Sequence, residues 1–279
     1  MKRILSLMLA LLLAAGCLPA QAESATAQAV LDLIDSLPEG ERAQVYAAID
    51  QRRAAGFDTP EAALGALLDG LKAADLEQMY SAFAVEPYAA HATLENFLSA
   101  NGYWAFMTSP LPTTSPLYGQ FNTVQRASLV IERLRLMLLT LHDPARDWSA
   151  PQVANPERDP DAYNALMEAL STNRLAGLAD MSEVQFHSAE AFIAAHAPDQ
   201  ADTWAGAAQR VIPRQLMVTG ADDFRSLAAT FSYNGETWVL FADAVCYDGR
   251  WYLYNMPGIL GTMLGVPSSG PAVPLSTLD

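Results

Sequence analysis

Asp243 is the side chain whose type and surroundings best suit proton-transfer chemistry. It lies in an alternating segment between Ala242 and Ala244, and the expected hairpin register places it opposite Tyr254. A carboxyl group and a phenol within hydrogen-bonding distance can pass a proton to and from a bound substrate. A cross-strand hydrogen bond on a partly wet surface is the simpler interpretation of the same pair.

Three aromatic side chains share the expected sheet face of Asp243, namely Phe241, Tyr252 and Tyr254. Amphipathic rings are favoured at contact surfaces. The stripe therefore indicates one of two arrangements. Either these four residues form a binding face, or a helix or the loop at 108–117 covers them.

The other reactive residue types form no recognisable catalytic or metal-binding pattern. Cys246 is expected opposite Trp251 on an apolar face, where burial raises the pKa of a thiol. The four histidines lack metal-ligand spacing, and GxSxG, SxxK and glycine-rich phosphate motifs are absent. In the acidic segment 157–161, Asp159 or Asp161 is expected to cap a helix. We expect no catalytic set, metal or cofactor, although a zinc site or a triad built from distant segments stays open.

The strands that carry these groups are predicted by an alternating pattern over residues 226–256. Asn-Gly at 234–235 and Asp-Gly at 248–249 accept positive φ and predict two-residue hairpin turns. Such turns fix the register, so one face of the meander becomes almost wholly apolar and must be core.

Helix start signals precede the meander. Thr59 can cap a helix that has Pro60 at its first position, and Asp75 can cap the next one. Apolar periodicity predicts further helices at about 120–142, 161–171, 188–196 and 200–211.

Composition excludes two broad classes of protein. Of 279 residues, 51% are hydrophobic and 17% are charged, with 16 Lys and Arg against 31 Asp and Glu and a net charge of -15. General disorder requires low hydrophobicity together with high charge. A nucleic-acid partner requires clustered basic side chains. We therefore expect a folded chain that does not bind nucleic acid.

The N-terminus predicts export. A basic start at residues 2–3, an apolar run at 4–16 and the small-residue pattern ending at Ala22 indicate a signal peptide over residues 1–22. The segment 14–17, which ends in Cys17, also resembles a bacterial lipobox, in which that cysteine is lipidated. Both interpretations place the protein outside the cytoplasm, secreted or attached to the cell envelope, with membrane contact only through a lipid on Cys17.

Two segments carry a resemblance to a known fold family. Residues 59–84, which begin Thr-Pro-Glu-Ala-Ala, resemble the opening helices of nuclear-transport-factor-two-like (SnoaL-like) domains, and residues 238–253 resemble their long antiparallel hairpins. The combination is most similar to exported bacterial proteins. The resemblance implies a cone-like α+β domain with a pocket between sheet and helices. It implies no particular activity, because such cones serve as enzymes, binding domains and assembly modules.

We therefore predict an α+β fold, a mostly helical chain with a C-terminal antiparallel meander and a helical insertion. The expected parts are a signal peptide (1–22), a helical hairpin (23–57), a cone-like domain (58–265) with its insertion at about 108–212, and a flexible tail (266–279). The leading functional hypothesis is a non-catalytic module that binds a small molecule or an envelope protein. The alternatives are a proton-transfer or hydrolytic enzyme that uses Asp243 with Tyr254 or Tyr80, and a structural envelope protein.

Overall fold

The computed structural model describes residues 38–40, 55–102, 109–112, 116–144, 155–173, 177–267 and 270–278. The chain divides into two units, Met1–Ala54 and Ala55–Asp279, and the elements below belong to the second. The predicted signal peptide, Cys17 and most of the predicted hairpin at 23–57 lie outside the described residues.

Nine helices and five strands make up the described part of the second unit. The helices are α1 (Pro60–Ala73), α2 (Leu76–Ser81), α3 (Glu86–His91), α4 (Leu94–Asn101), α5 (Pro116–His142), α6 (Pro160–Asn173), α7 (Ala189–His196), α8 (Ala201–Thr219) and α9 (Gly258–Met263). The strands are β1 (Ser182–Ser188), β2 (Asp223–Tyr233), β3 (Glu236–Tyr247), β4 (Arg250–Asn255) and β5 (Ala272–Pro274). The fold is thus α+β and mostly helical, with a C-terminal antiparallel meander, as predicted. Among the described helices, none combines the length and the apolar character needed to cross a membrane.

Local sequence signals set several helix starts. Thr59, Asp75 and Asp159 each accept a hydrogen bond from the backbone N–H three residues further along. Each cap therefore satisfies a donor that the first turn of a helix leaves without a partner. The predicted caps at these three residues are confirmed.

Two tight turns set the register of the meander. Both residues of each turn, at 234–235 and at 248–249, have positive φ. The strands run in the order β1-β2-β3-β4, each pair antiparallel, and Cys246 pairs with Trp251 as predicted.

One face of the sheet carries the main core. Leu227, Leu240 and Leu253 pack there against α1, α2 and α5. The helices contribute Leu64, Leu68, Met79, Leu134 and Leu138 to this cluster. These side chains are essentially inaccessible to water, so hydrophobic burial holds the three helices on this face.

Helices also cover the opposite face. Val239 and Phe241 pack there against Phe192 of α7, Trp204 of α8 and Leu260 of α9. The rings of Phe192 and Phe241 meet edge to face with centroids 5.1 Å apart. The sheet is therefore a middle layer between two sets of helices.

Two short strands depart from the sequence prediction. The region predicted as a helical insertion contains β1, in which Phe186 pairs with Ala229 of β2. The region predicted as a flexible tail contains β5, in which Val273 pairs with Val239 of β3. The sequence does not predict this strand, because a three-residue strand has no periodicity of its own and depends on the free edge of β3 beyond the end of β4.

Candidate functional site

The proposed binding face is covered in the structure. Phe241, Asp243 and Tyr252 are 0%, 2% and 4% exposed, and Tyr254 is half-buried. Of the two arrangements considered for this stripe, the structure shows the covered one. The four residues therefore do not form an open contact surface, because α7, α8 and α9 pack over this side of the sheet.

The predicted pairing of Asp243 with Tyr254 is wrong. Ala244 pairs with Leu253, but Asp243 pairs with Asn255, so β4 contains one extra residue, Tyr254, at this point. Such a bulge bends the strand and redirects the side chain of the extra residue. Tyr80, the other phenol considered for Asp243, packs against the core on the opposite face of the sheet.

Asp243 is enclosed, and both of its carboxyl oxygens accept hydrogen bonds. Ser226 Oγ donates to Asp243 Oδ1 at 2.5 Å, and the backbone N–H of Ile259 donates to both carboxyl oxygens at 3.1 Å. Gly258 has φ +73°, and a Cβ at that residue would lie 2.6 Å from Oδ1. Burial raises the pKa of Asp243 to about 7, although the bonds from Ser226 and Ile259 oppose the rise. The carboxyl group ties the β2–β3 hairpin to the start of α9.

A groove beside Ser226 is open to solvent and combines carboxylates with aromatic rings. Its volume is about 360 Å³. We call it the edge groove and define it by six of its lining residues: Asp58, Glu61, Glu190, Trp204, Ser226 and Trp251. A cleft of this volume is within the range of small-ligand sites.

Two local arrangements position the opposite walls of the edge groove. Phe57 and Trp251 exchange backbone hydrogen bonds of 2.9 and 2.7 Å, which hold the segment 58–61 beside β4. Ser188 ends β1 and caps α7 by accepting from Ala191 N at 3.2 Å, which places Glu190 on the opposite wall. The groove therefore forms at the point where β1 ends and α7 begins.

The carboxylates of the edge groove differ in their partners. Asp58 pairs with Arg250. Glu190 Oε1 accepts from Trp204 Nε1 at 3.0 Å. Desolvation acts to raise the pKa of Glu190, but this bond, bonds from its own backbone and Ser188, and the nearby charge of Arg225 together lower it. Glu61 has no hydrogen bond or ion pair within the described chain. Within the described chain, Glu61 is therefore the carboxylate of this groove without a partner, whereas Glu190 already accepts from Trp204.

Arg126 joins α5 to the sheet in a second, smaller cavity of about 170 Å³. Its Nε donates to Ala84 O at 3.1 Å, and its Cζ lies 4.9 and 4.6 Å from the ring centroids of Tyr88 and Tyr254. Burial, reinforced by Tyr254, raises the pKa of Tyr88 to about 12, and Arg126 opposes the rise. The bound guanidinium has a structural role here, because carbonyls and rings already surround it.

The histidines and the cysteine lie elsewhere. His187 and His196 approach with ring centroids 6.2 Å apart, beside a groove of about 580 Å³, and His187 Nε2 lies 3.1 Å from Thr230 Oγ1. Burial lowers the pKa of His187, and His196 adds to the effect. Burial also raises the pKa of Cys246. In the described ranges, no three His, Cys, Asp or Glu side chains come together as metal ligands.

Sequence reasoning did not find the edge groove. Its defining residues come from four distant regions of the chain, near positions 58–61, 190–204, 226 and 251, and no short motif links them. No family model matches the chain, and neither curated proteins nor solved structures give a match.

Proposed function

We propose that this chain is an exported, non-catalytic binding module whose edge groove holds a cationic ligand. The observation that carries the proposal is the composition of this groove, whose lining includes the carboxylates of Glu61 and Glu190 and the indoles of Trp204 and Trp251. Carboxylates and indole faces are the two protein surfaces that attract organic cations most strongly.

Charge supports the same choice of ligand. The groove also contains Asp58 and Arg225, but these are paired with Arg250 and Asp223. Glu61 has no cation beside it in the described chain, whereas Glu190 accepts from Trp204 and is attracted by Arg225, and the net charge of the chain is -15. A negative field of this kind speeds the arrival of cations and disfavours anions.

Export is the other half of the proposal and depends on the N-terminal sequence. The basic residues at 2–3, the apolar run at 4–16 and the pattern that ends at Ala22 support a signal peptide. A lipid on Cys17 would hold the module at the envelope, whereas cleavage after Ala22 would release it. The ligand is therefore expected outside the cytoplasm.

A matched pair of peptides tests the cation preference. The probes are acetyl-Val-Thr-Lys-Arg-Thr-Val-amide (the basic peptide) and acetyl-Val-Thr-Glu-Asp-Thr-Val-amide (the acidic peptide), titrated into the purified chain by calorimetry. We expect saturable binding of the basic peptide only. Equal affinity for both peptides, or binding of neither, would contradict the proposal.

Charge-neutral variants assign the binding to the groove. Combining Glu61→Gln with Glu190→Gln should weaken binding of the basic peptide about 10- to 100-fold, because two charge-assisted contacts are lost. The control combines Asp69→Asn with Glu95→Gln, which removes the same charge from exposed sites away from the groove. If both double variants weaken binding equally, the overall charge and not the edge groove is responsible.

A further inference from the structure

We infer that the ligand of the edge groove is an extended peptide that adds a strand to β2 at residues Asp223–Ser226. This inference rests on the proposed function, because it assigns a chemical class and a binding geometry to the cation. Its foundation is separate, however, and consists of the backbone arrangement along one side of β2.

The side of β2 that faces the groove lacks a neighbouring strand over four residues. On its other side, β2 pairs with β3 along its whole length, from Asp223 to Tyr233. On the groove side, β1 begins to pair only at Leu227, opposite Ser188. Within the described chain, Asp223–Ser226 therefore has no neighbouring strand on this side over about 13 Å, at the usual rise of a strand, although Phe224 and Ser226 are themselves 0% and 6% exposed.

Along this edge, two side chains from β2 itself hydrogen-bond to the backbone groups of Phe224. The backbone N–H of Phe224 donates to Asp223 Oδ1 at 2.7 Å, and the carbonyl of Phe224 accepts from Arg225 Nη1 at 3.2 Å. In an antiparallel ladder the N–H and C=O of one residue point to the same side. Both groups of Phe224 therefore face away from β3, toward the place that another strand would occupy.

These two side chains lie near the surface, although Arg225 also has its Cζ 6.0 Å from the ring centroid of Trp251 and attracts Glu190. Asp223 and Arg225 form an ion pair of 2.8 Å with side chains 39% and 57% exposed. Exposed ion pairs contribute little to stability. A peptide strand would offer Phe224 a carbonyl and an N–H in place of these side chains, which is the general mode of recognition by strand addition.

The walls of the groove predict which peptide fits. Successive side chains of a strand point to opposite faces of the sheet. Glu61 belongs to α1, which packs on one face, and Glu190 belongs to α7, which packs on the other. Two adjacent basic residues would thus reach both glutamates, each beside one of the two groove tryptophans. The partner is therefore an extended segment with a basic pair.

Backbone methylation of the basic peptide tests strand addition directly. One analogue carries N-methyl groups on its odd-numbered residues, the other on its even-numbered residues, so each analogue blocks the N–H groups of one strand side. Calorimetric titration should show that one analogue binds at least about tenfold more weakly than the parent while the other stays within about threefold. If the two analogues bind as tightly as the parent, or if both are weakened equally, strand addition is overturned.

The outcomes separate this inference from the proposed function. If the parent peptide and both methylated analogues bind with similar affinity, and the combined Glu61→Gln and Glu190→Gln variant weakens all three, the groove is a cation site to which no strand is added. Failure of the parent peptide to bind would remove the proposed function itself. As a second measurement, Asp223→Ala with Arg225→Ala should bind the parent about two- to fivefold more tightly, because no ion pair has to open. Weaker binding by this variant would contradict displacement.

Discussion

Replacing Asp243 by Asn should abolish the pH dependence of stability that this buried carboxyl imposes. Burial raises the pKa of Asp243 from 3.8 to about 7, so the folded chain holds this proton more tightly than the unfolded chain does. The corresponding contribution to stability is fully present below the unfolded pKa and is lost as the pH rises through the folded pKa. At neutral pH and above, ionisation of Asp243 therefore lowers the free energy of unfolding by about 4 kcal/mol, compared with a side chain that does not titrate.

The asparagine side chain can keep the main contacts of Asp243, since Oδ1 can still accept from Ser226 and from Ile259 N. Urea unfolding of wild type and Asp243→Asn from about pH 5.5 to about pH 8.5 measures the difference. Wild type should lose about 2 kcal/mol relative to the variant across this range, and the difference should level off above about pH 7. Exposed Asp69→Asn is the matched control and should run parallel to wild type. Parallel curves for wild type and Asp243→Asn would refute the assigned burial.

Three further predictions follow from local geometry. Gly258→Ala should lower the free energy of unfolding in urea by about 3 kcal/mol, because the added Cβ would clash with the Asp243 carboxyl. The control Gly235→Ala, at φ +77° but with no atom within 4 Å of the added Cβ, should lower it by about 1 kcal/mol. Equal losses would show that φ strain alone matters. Arg126→Met should cost about 3 kcal/mol, because it leaves buried carbonyls without a donor, while exposed Arg135→Met on the same helix should cost less than about 0.5 kcal/mol; equal costs would contradict the structural role of Arg126. Cys246 should react with a disulfide reagent about tenfold or more slowly in the folded chain than in urea, as followed by mass spectrometry of the labelled peptide, and equal rates would show that the thiol is exposed.

The features that the sequence predicted well depend on neighbouring residues. The turns at 234–235 and 248–249 form because Asn-Gly and Asp-Gly adopt positive φ at little cost, and they fix the register of β2, β3 and the start of β4. The helix caps at Thr59, Asp75 and Asp159 use an oxygen that lies three residues from its donor. Such interactions are the same in most folds, so a pattern of residue types is enough to predict them.

The features that the sequence could not supply depend on long-range packing. The bulge at Tyr254 and the strand at 272–274 have no local signature, because each exists only where β3 offers it a partner. The polar residues on the second sheet face suggested possible exposure, yet Asp243 is buried with its own donors, Ser226 and Ile259 N. A buried carboxyl that is satisfied in this way has the same sequence pattern as an exposed one.

The edge groove illustrates the same limit. The sequence predicts a helix at about 188–196, and in the structure Ser188 caps that helix. That β1 therefore stops opposite Leu227 and leaves Asp223–Ser226 open follows only from the pairing of two strands about forty residues apart. Glu61 lines the groove because α1 begins beside this segment of β2. The apolar periodicity of α1 gives no indication of that position.

Amide NMR of the isotopically labelled chain with the unlabelled basic peptide tests the central claim most directly. The account predicts saturable shifts that centre on Phe224, Ser226 and the indole N–H groups of Trp204 and Trp251, with a contact between the Phe224 amide proton and the peptide backbone. Shifts that centre on the groove of His187 and His196, or shifts that never saturate, would contradict the assignment of the edge groove as the binding site.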